Sequence, residues 1–135
     1  MSRLPAIVAG MAPWLRSTLA VLAGLVVFYA LEGLGYWICF HTLHVRYDTP
    51  TREYEIASLV YTFAAAIGGG YAAAVLGGRN PVSHGVGLAM LLFGLDTINL
   101  AKSAGSMHIQ YVLMMNIGVP LLAIFGAFLR RSHTE

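Results

Sequence analysis

The sequence predicts an all-α, polytopic membrane four-helix bundle with both termini in the cytoplasm. Three observations predict it. Apolar residues make up 58% of the 135-residue chain and charged ones only 10%, against roughly 45–50% and 25% in soluble domains. Four apolar stretches, near 17–40, 56–76, 82–101 and 109–129, are each long enough to cross a hydrocarbon core of about 30 Å at a rise of about 1.5 Å per residue. The alternation of a membrane barrel strand is absent, and a lipid core leaves the backbone no partner but itself, so the spans must be helices. Four spans and their connections use up residues 1–135, a single integral membrane domain. Too few charged side chains remain to coat a water-soluble enzyme. The formal charge of +2 comes from scattered arginines, with no patch for nucleic acid. Cys39 is the single cysteine, which excludes an internal disulfide and a multi-cysteine metal cluster.

Each element has its own signals. Before the first span stand Pro5, Pro13 and Trp14, the last placed as an interfacial anchor. Its apolar run continues to Phe40, longer than the roughly 7–15 residues of a signal-peptide core, so it reads as a retained helix. Thr49-Pro50 suits an N-cap and first helical position for the second span, with Glu53 and Glu55 near the positive end of its dipole. Gly77-Gly78 then stops that helix and Asn80-Pro81 starts the third, a turn so short that the two must be antiparallel neighbours. Pro120 lies inside the fourth span. It removes the bond to the Asn116 carbonyl and predicts a kink there, with the Asn116 side chain bonding a neighbouring helix.

Orientation follows from the flanks. Arg3, Arg16, Arg79, Arg130 and Arg131 fall on one side and Arg46, Arg52 and Lys102 on the other, a bias that places the first group inside. Helices in lipid associate through small residues. Gly68, Gly69 and Ala72 on the second span, with Gly85 and Gly94 on the third, predict a closely packed central hairpin.

Two carboxylates, Glu32 and Asp96, stand inside spans, where such groups are costly and usually face protein or water. Helical spacing adds Tyr36 to the first and Asn99 to the second, while Tyr61 and Thr62 lie on the polar stripe of the second span. The result is an intramembrane polar cluster of Glu32, Tyr36, Tyr61, Thr62, Asp96 and Asn99 toward the outer face. His41, His44, Asp48 and Glu53 border it and have the ligand chemistry for a metal, although loop geometry must bring them together. His84 reads as an interfacial packing histidine, and the six methionines as packing filler. No phosphate-cradling loop, nucleophile elbow or paired-histidine protease motif occurs.

The stretch Gly69-Gly70-Tyr71, Gly77-Gly78-Arg79-Asn80-Pro81 and His84-Gly85 resembles a hairpin of small uncharacterised four-helix bacterial membrane proteins. Their pattern is Gly-Gly-aromatic-x-Ala-Ala, Gly-Arg-x-Pro, then His-Gly. The resemblance covers about a fifth of the chain. It implies topology, with Arg79 inside, and carries no catalytic residues or cofactor. The functional expectation is a non-enzymatic protein of the bacterial inner membrane, without cofactors, acting as an accessory or interaction subunit. Its partners would be the lipid bilayer and a second membrane protein or further copies of itself. The alternatives are a small proton- or cation-coupled transporter working as an oligomer and, more distantly, an intramembrane metal-binding enzyme. A dry bundle favours the accessory role, and a cavity reaching Glu32 and Asp96 favours transport.

Overall fold

The computed structural model describes residues 10–42, 44, 52–102 and 108–133. Among them the chain forms four helices: α1 (Pro13–His41), α2 (Arg52–Gly77), α3 (Pro81–Lys102) and α4 (Ile109–Ser132). Each is long and apolar enough to cross a membrane. The boundaries follow local chemistry. α1 begins earlier than the expected 17 because Pro13 occupies its start, where the missing N–H costs nothing and the fixed φ already suits a helix. α2 begins at Arg52 rather than near 56, with Glu53 and Glu55 in its first turn. It ends at Gly77, and Gly78 takes φ +77°, the left-handed conformation that terminates helices and that a side chain resists. Pro81 opens α3 as expected. α4 runs through Pro120, which cannot supply the usual N–H to the Asn116 carbonyl. The Thr49-Pro50 start lies outside the described residues.

The helices alternate in direction, and α2 is the hub. It packs most extensively along α1 and next along α4, while α3 lies mainly against α4. The expected close α2–α3 hairpin is therefore a lesser contact, and the glycines show why. A Cβ on Gly69 would meet the Gly24 carbonyl and Phe28 of α1, and one on Gly24 would meet the Gly69 carbonyl. One position on, about 100° around the helix, Gly70 faces α4. A Cβ there would collide with the Ala123 backbone, and one on Gly126 with the Ile67 backbone. Adjacent glycines thus seat α2 on two different helices. Gly68 faces Leu31 of α1, and Gly85 faces Ala127 of α4. Ala72 is half-buried. Gly94 has open space where its side chain would be, so it serves no close contact among the described residues.

The core is correspondingly fine-grained. Leu88, Leu92 and Val119 are its largest fully buried side chains, clustered with Phe28 and with alanines from α2, α3 and α4. The outer surface is apolar instead, with Val26, Met90 and Ile109 each about two-thirds exposed or more. Water penalises a surface of this kind and hydrocarbon does not.

At the end carrying the α2–α3 turn, polar contacts knit the helices. The His84 ring is buried. Its Nδ1 donates to the Asn80 carbonyl at 2.7 Å, and Nε2 lies 3.1 Å from the Ser17 hydroxyl of α1. Arg16 Nε donates to the Leu76 carbonyl at 3.4 Å. His84 therefore does pack at the interface of two helices.

Candidate functional site

The other end of the bundle gathers the C-termini of α1 and α3 and the N-termini of α2 and α4. There the four helices enclose a cavity of about 280 Å³. Glu32 reaches it from α1, and Asp96 and Asn99 from α3. Tyr54, Ser58, Tyr61 and Thr62 follow the stripe of α2, and Tyr111, Met115 and Asn116 come from α4. At the helical rise, Glu32 lies roughly 13 Å from the end of α1 and Asp96 roughly 9 Å from the end of α3. Both carboxylates thus stand well inside apolar helices, and both point into protein.

Hydrogen bonds across the helices form the walls. Thr62 Oγ1 donates to Glu32 Oε1 at 3.3 Å, joining α2 to α1. The Ser58 and Tyr111 hydroxyls lie 2.8 Å apart and are both buried, joining α2 to α4. Thr97 Oγ1 donates to its own helix at the Phe93 carbonyl, 2.7 Å away, and lies 3.3 Å from Asn116 Oδ1, joining α3 to α4. Asp96 differs from Glu32 in one respect. Its Oδ2 is buried and has no hydrogen-bond partner among the described residues. A buried acceptor without a donor is unfavourable and calls for a functional reason.

The cavity is blind toward the core. One helical turn further in, on the same faces, stand Phe28 below Glu32, Ala66 below Thr62, Leu92 below Asp96 and Val119 below Met115. All four are buried members of the apolar cluster. Among the described residues, no Lys, Arg or His lines the cavity. The charged residues at its rim are paired among themselves in one case: His108 Nδ1 donates to Glu55 Oε1 at 2.7 Å, and Glu55 is 8% exposed. Tyr111 is the partition here, since it lines both the cavity and a groove beside that pair.

Five of the six residues read as a polar cluster, Glu32, Tyr61, Thr62, Asp96 and Asn99, line this one space. Tyr36 does not. It is 45% exposed, with its ring stacked on Phe40 one turn along. The metal set does not assemble either. His41 lies stacked on Trp37 with Nδ1 3.1 Å from the Trp37 carbonyl, and His44 and Glu53 are exposed. Asp48 lies outside the described residues, among which no three His, Cys, Asp or Glu side chains converge. The sequence reading missed Tyr111, because a lone tyrosine at the start of an apolar helix has no periodic partner on its own helix. It also missed the Glu55–His108 pair, which joins positions 53 residues apart.

No family model matches the chain, and neither the curated proteins nor the solved structures compared with it include a match.

Proposed function

We propose that this chain is a multi-pass protein of a bacterial cytoplasmic membrane that binds a proton or small cation between Glu32 and Asp96, as a small cation-coupled transporter would. The arginine-rich end, with Arg16, Arg79, Arg130 and Arg131, faces the cytoplasm in this reading, and the cavity faces outward. The observation that carries it is the cavity itself, built by all four helices around two carboxylates, with no basic residue among the described residues that line it. Carboxylates at such depth are expensive in hydrocarbon and are typical of ion and proton pathways. The apolar cluster behind them supplies what a coupled carrier needs at rest, a barrier between the site and the other face. All the described residues that line the site come from one chain, and crossing the barrier requires the helices to shift.

The accessory role expected from a dry bundle stands as the second reading. The Thr62–Glu32 and Ser58–Tyr111 bonds favour it, because they are what a purely structural polar cluster would make. Isosteric variants separate the two. Purified protein in proteoliposomes, under an imposed pH or sodium gradient, should show a cation flux that Glu32→Gln and Asp96→Asn abolish while the bundle stays folded by circular dichroism. If both variants match the parent, or the parent shows no flux, the cluster is structural and the accessory reading takes its place.

A further inference from the structure

Resting on the cation-binding reading, we propose that the ligand of the cavity is a protonated organic amine, its N–H donating to Asp96 and its alkyl body lying among Tyr54, Tyr61 and Tyr111. Four features of the space converge on this class. The first is size. A cavity holds a water once about 10–15 Å³ is free, and about 280 Å³ far exceeds what one bare ion fills. The second is charge. Two carboxylates, with no lysine, arginine or histidine among the described lining residues, select a cation over an anion or a neutral solute.

The third is the donor set. A divalent ion such as Ca2+ or Mg2+ needs about six or more converging oxygens, and no three His, Cys, Asp or Glu side chains converge among the described residues. An alkylammonium ion spreads its charge over a larger body and needs fewer. Three tyrosines from α2 and α4 line the same space, and aromatic faces attract cations of that kind. The fourth is the Asp96 carboxylate, which lines the cavity while no hydrogen bond to it is made among the described residues. An acceptor awaiting a donor distinguishes an ammonium that carries hydrogen from a quaternary one that does not. Glu32 already accepts from Thr62, so the two carboxylates divide the work: Asp96 takes the hydrogen bond and Glu32 adds charge.

Three probes of nearly equal shape test this: tert-butylammonium, tetramethylammonium and tert-butanol. They present charge with donors, charge without donors, and neither charge nor an ammonium. Binding to the full-length protein in detergent micelles is followed by calorimetry and saturation-transfer NMR, with empty micelles as the blank. The expected order is tert-butylammonium first, tetramethylammonium about tenfold weaker, and tert-butanol indistinguishable from the blank. Asp96→Asn, which keeps an acceptor but loses the charge, should narrow the difference between the two cations. Tyr61→Phe should keep affinity within about twofold, whereas Tyr61→Leu should lose about 2- to 30-fold. Circular dichroism and size-exclusion profiles check folding, and Glu32→Gln serves if Asp96→Asn fails to fold; it should weaken both cations alike. Equal binding of the two cations overturns the assignment of the hydrogen bond to Asp96. No binding of either, with proton or sodium flux intact, overturns the organic amine and leaves the transport reading standing. No binding and no flux overturn both.

Discussion

One buried pair and one buried carboxylate oxygen carry most of what can be tested at single residues. Ser58 and Tyr111 lie on different helices with their hydroxyls 2.8 Å apart. Removing either costs that bond, although Ser58 keeps its bond to Tyr54, while removing both leaves an apolar contact of similar shape. Ser58→Ala and Tyr111→Phe should therefore each lower stability, and the double variant should lose less than the two added together. Hydrogen bonds between helices in lipid average about 0.6 kcal/mol, with the strongest near 1.7, so a coupling of about 0.5–1.5 kcal/mol is expected from unfolding in mixed micelles. Asp96 predicts the opposite sign. Its Oδ2 contributes no hydrogen bond among the described residues, so Asp96→Leu should raise the melting temperature while eliminating cation binding. That trade between stability and activity is the usual signature of a functional polar group. A drop in melting temperature on Asp96→Leu would instead mark the carboxylate as structural.

At the scale of helices, the controlling feature is how closely backbones approach. Gly70 of α2 lies against Ala123 of α4, and Gly126 of α4 against Ile67 of α2, so tightly that a Cβ on either would meet main-chain atoms, which cannot swing aside as a side chain can. Gly94, by contrast, has open space. Gly70→Leu and Gly126→Leu should each abolish monodisperse protein on size exclusion, whereas Gly94→Leu should elute and melt like the parent. The contrast matters because all three positions are glycine in an apolar helix and look alike by composition. Should Gly126→Leu behave as Gly94→Leu does, the α2–α4 crossing described here is not the one the protein uses. The same crossing holds Tyr111 and Asn116 over the stripe of α2, so its loss should also remove cation binding.

For the molecule as a whole, the two ends differ in chemistry. Carboxylates, tyrosines and amides gather at one end. Arg16, Arg79, Arg130 and Arg131 mark the other, where no acidic residue stands among the described ones. Anionic lipid and the membrane potential both hold arginine on the cytoplasmic side. With Cys39→Ser as the background, a cysteine at Gln110 should react with an impermeant thiol reagent in intact cells, and one at Arg79 only after the membrane is opened. The reverse pattern would invert the orientation and turn the cavity toward the cytoplasm. The blind cavity adds a dynamic requirement. Leu92, Val119 and Phe28 close it on one side, so any passage of a ligand requires α3 or α4 to move against α2.

Composition and hydropathy alone determined that there would be four apolar helices and roughly where each begins and ends, because helix length in an apolar solvent is a local property of the chain. Spacing along single helices also determined which faces were polar, and five of the six expected cluster residues do meet in one cavity. What the sequence left open was every contact between helices. Gly69 and Gly70 are neighbours, yet one seats α1 and the other α4, and only the three-dimensional path of α2 assigns them. Tyr36 shares a helical face with Glu32 but lies on the outer side of the bundle, because four residues along a helix rotate a side chain by about 40°, enough here to leave the cavity. Tyr111 and the Glu55–His108 pair entered the site through packing of distant segments, which no local period records, whereas the bond expected from Asn116 to a neighbouring helix is made with Thr97. Lipid gives all apolar faces the same solvation, so which face meets which is decided by backbone approach and a few hydrogen bonds, and those exist only in the tertiary structure.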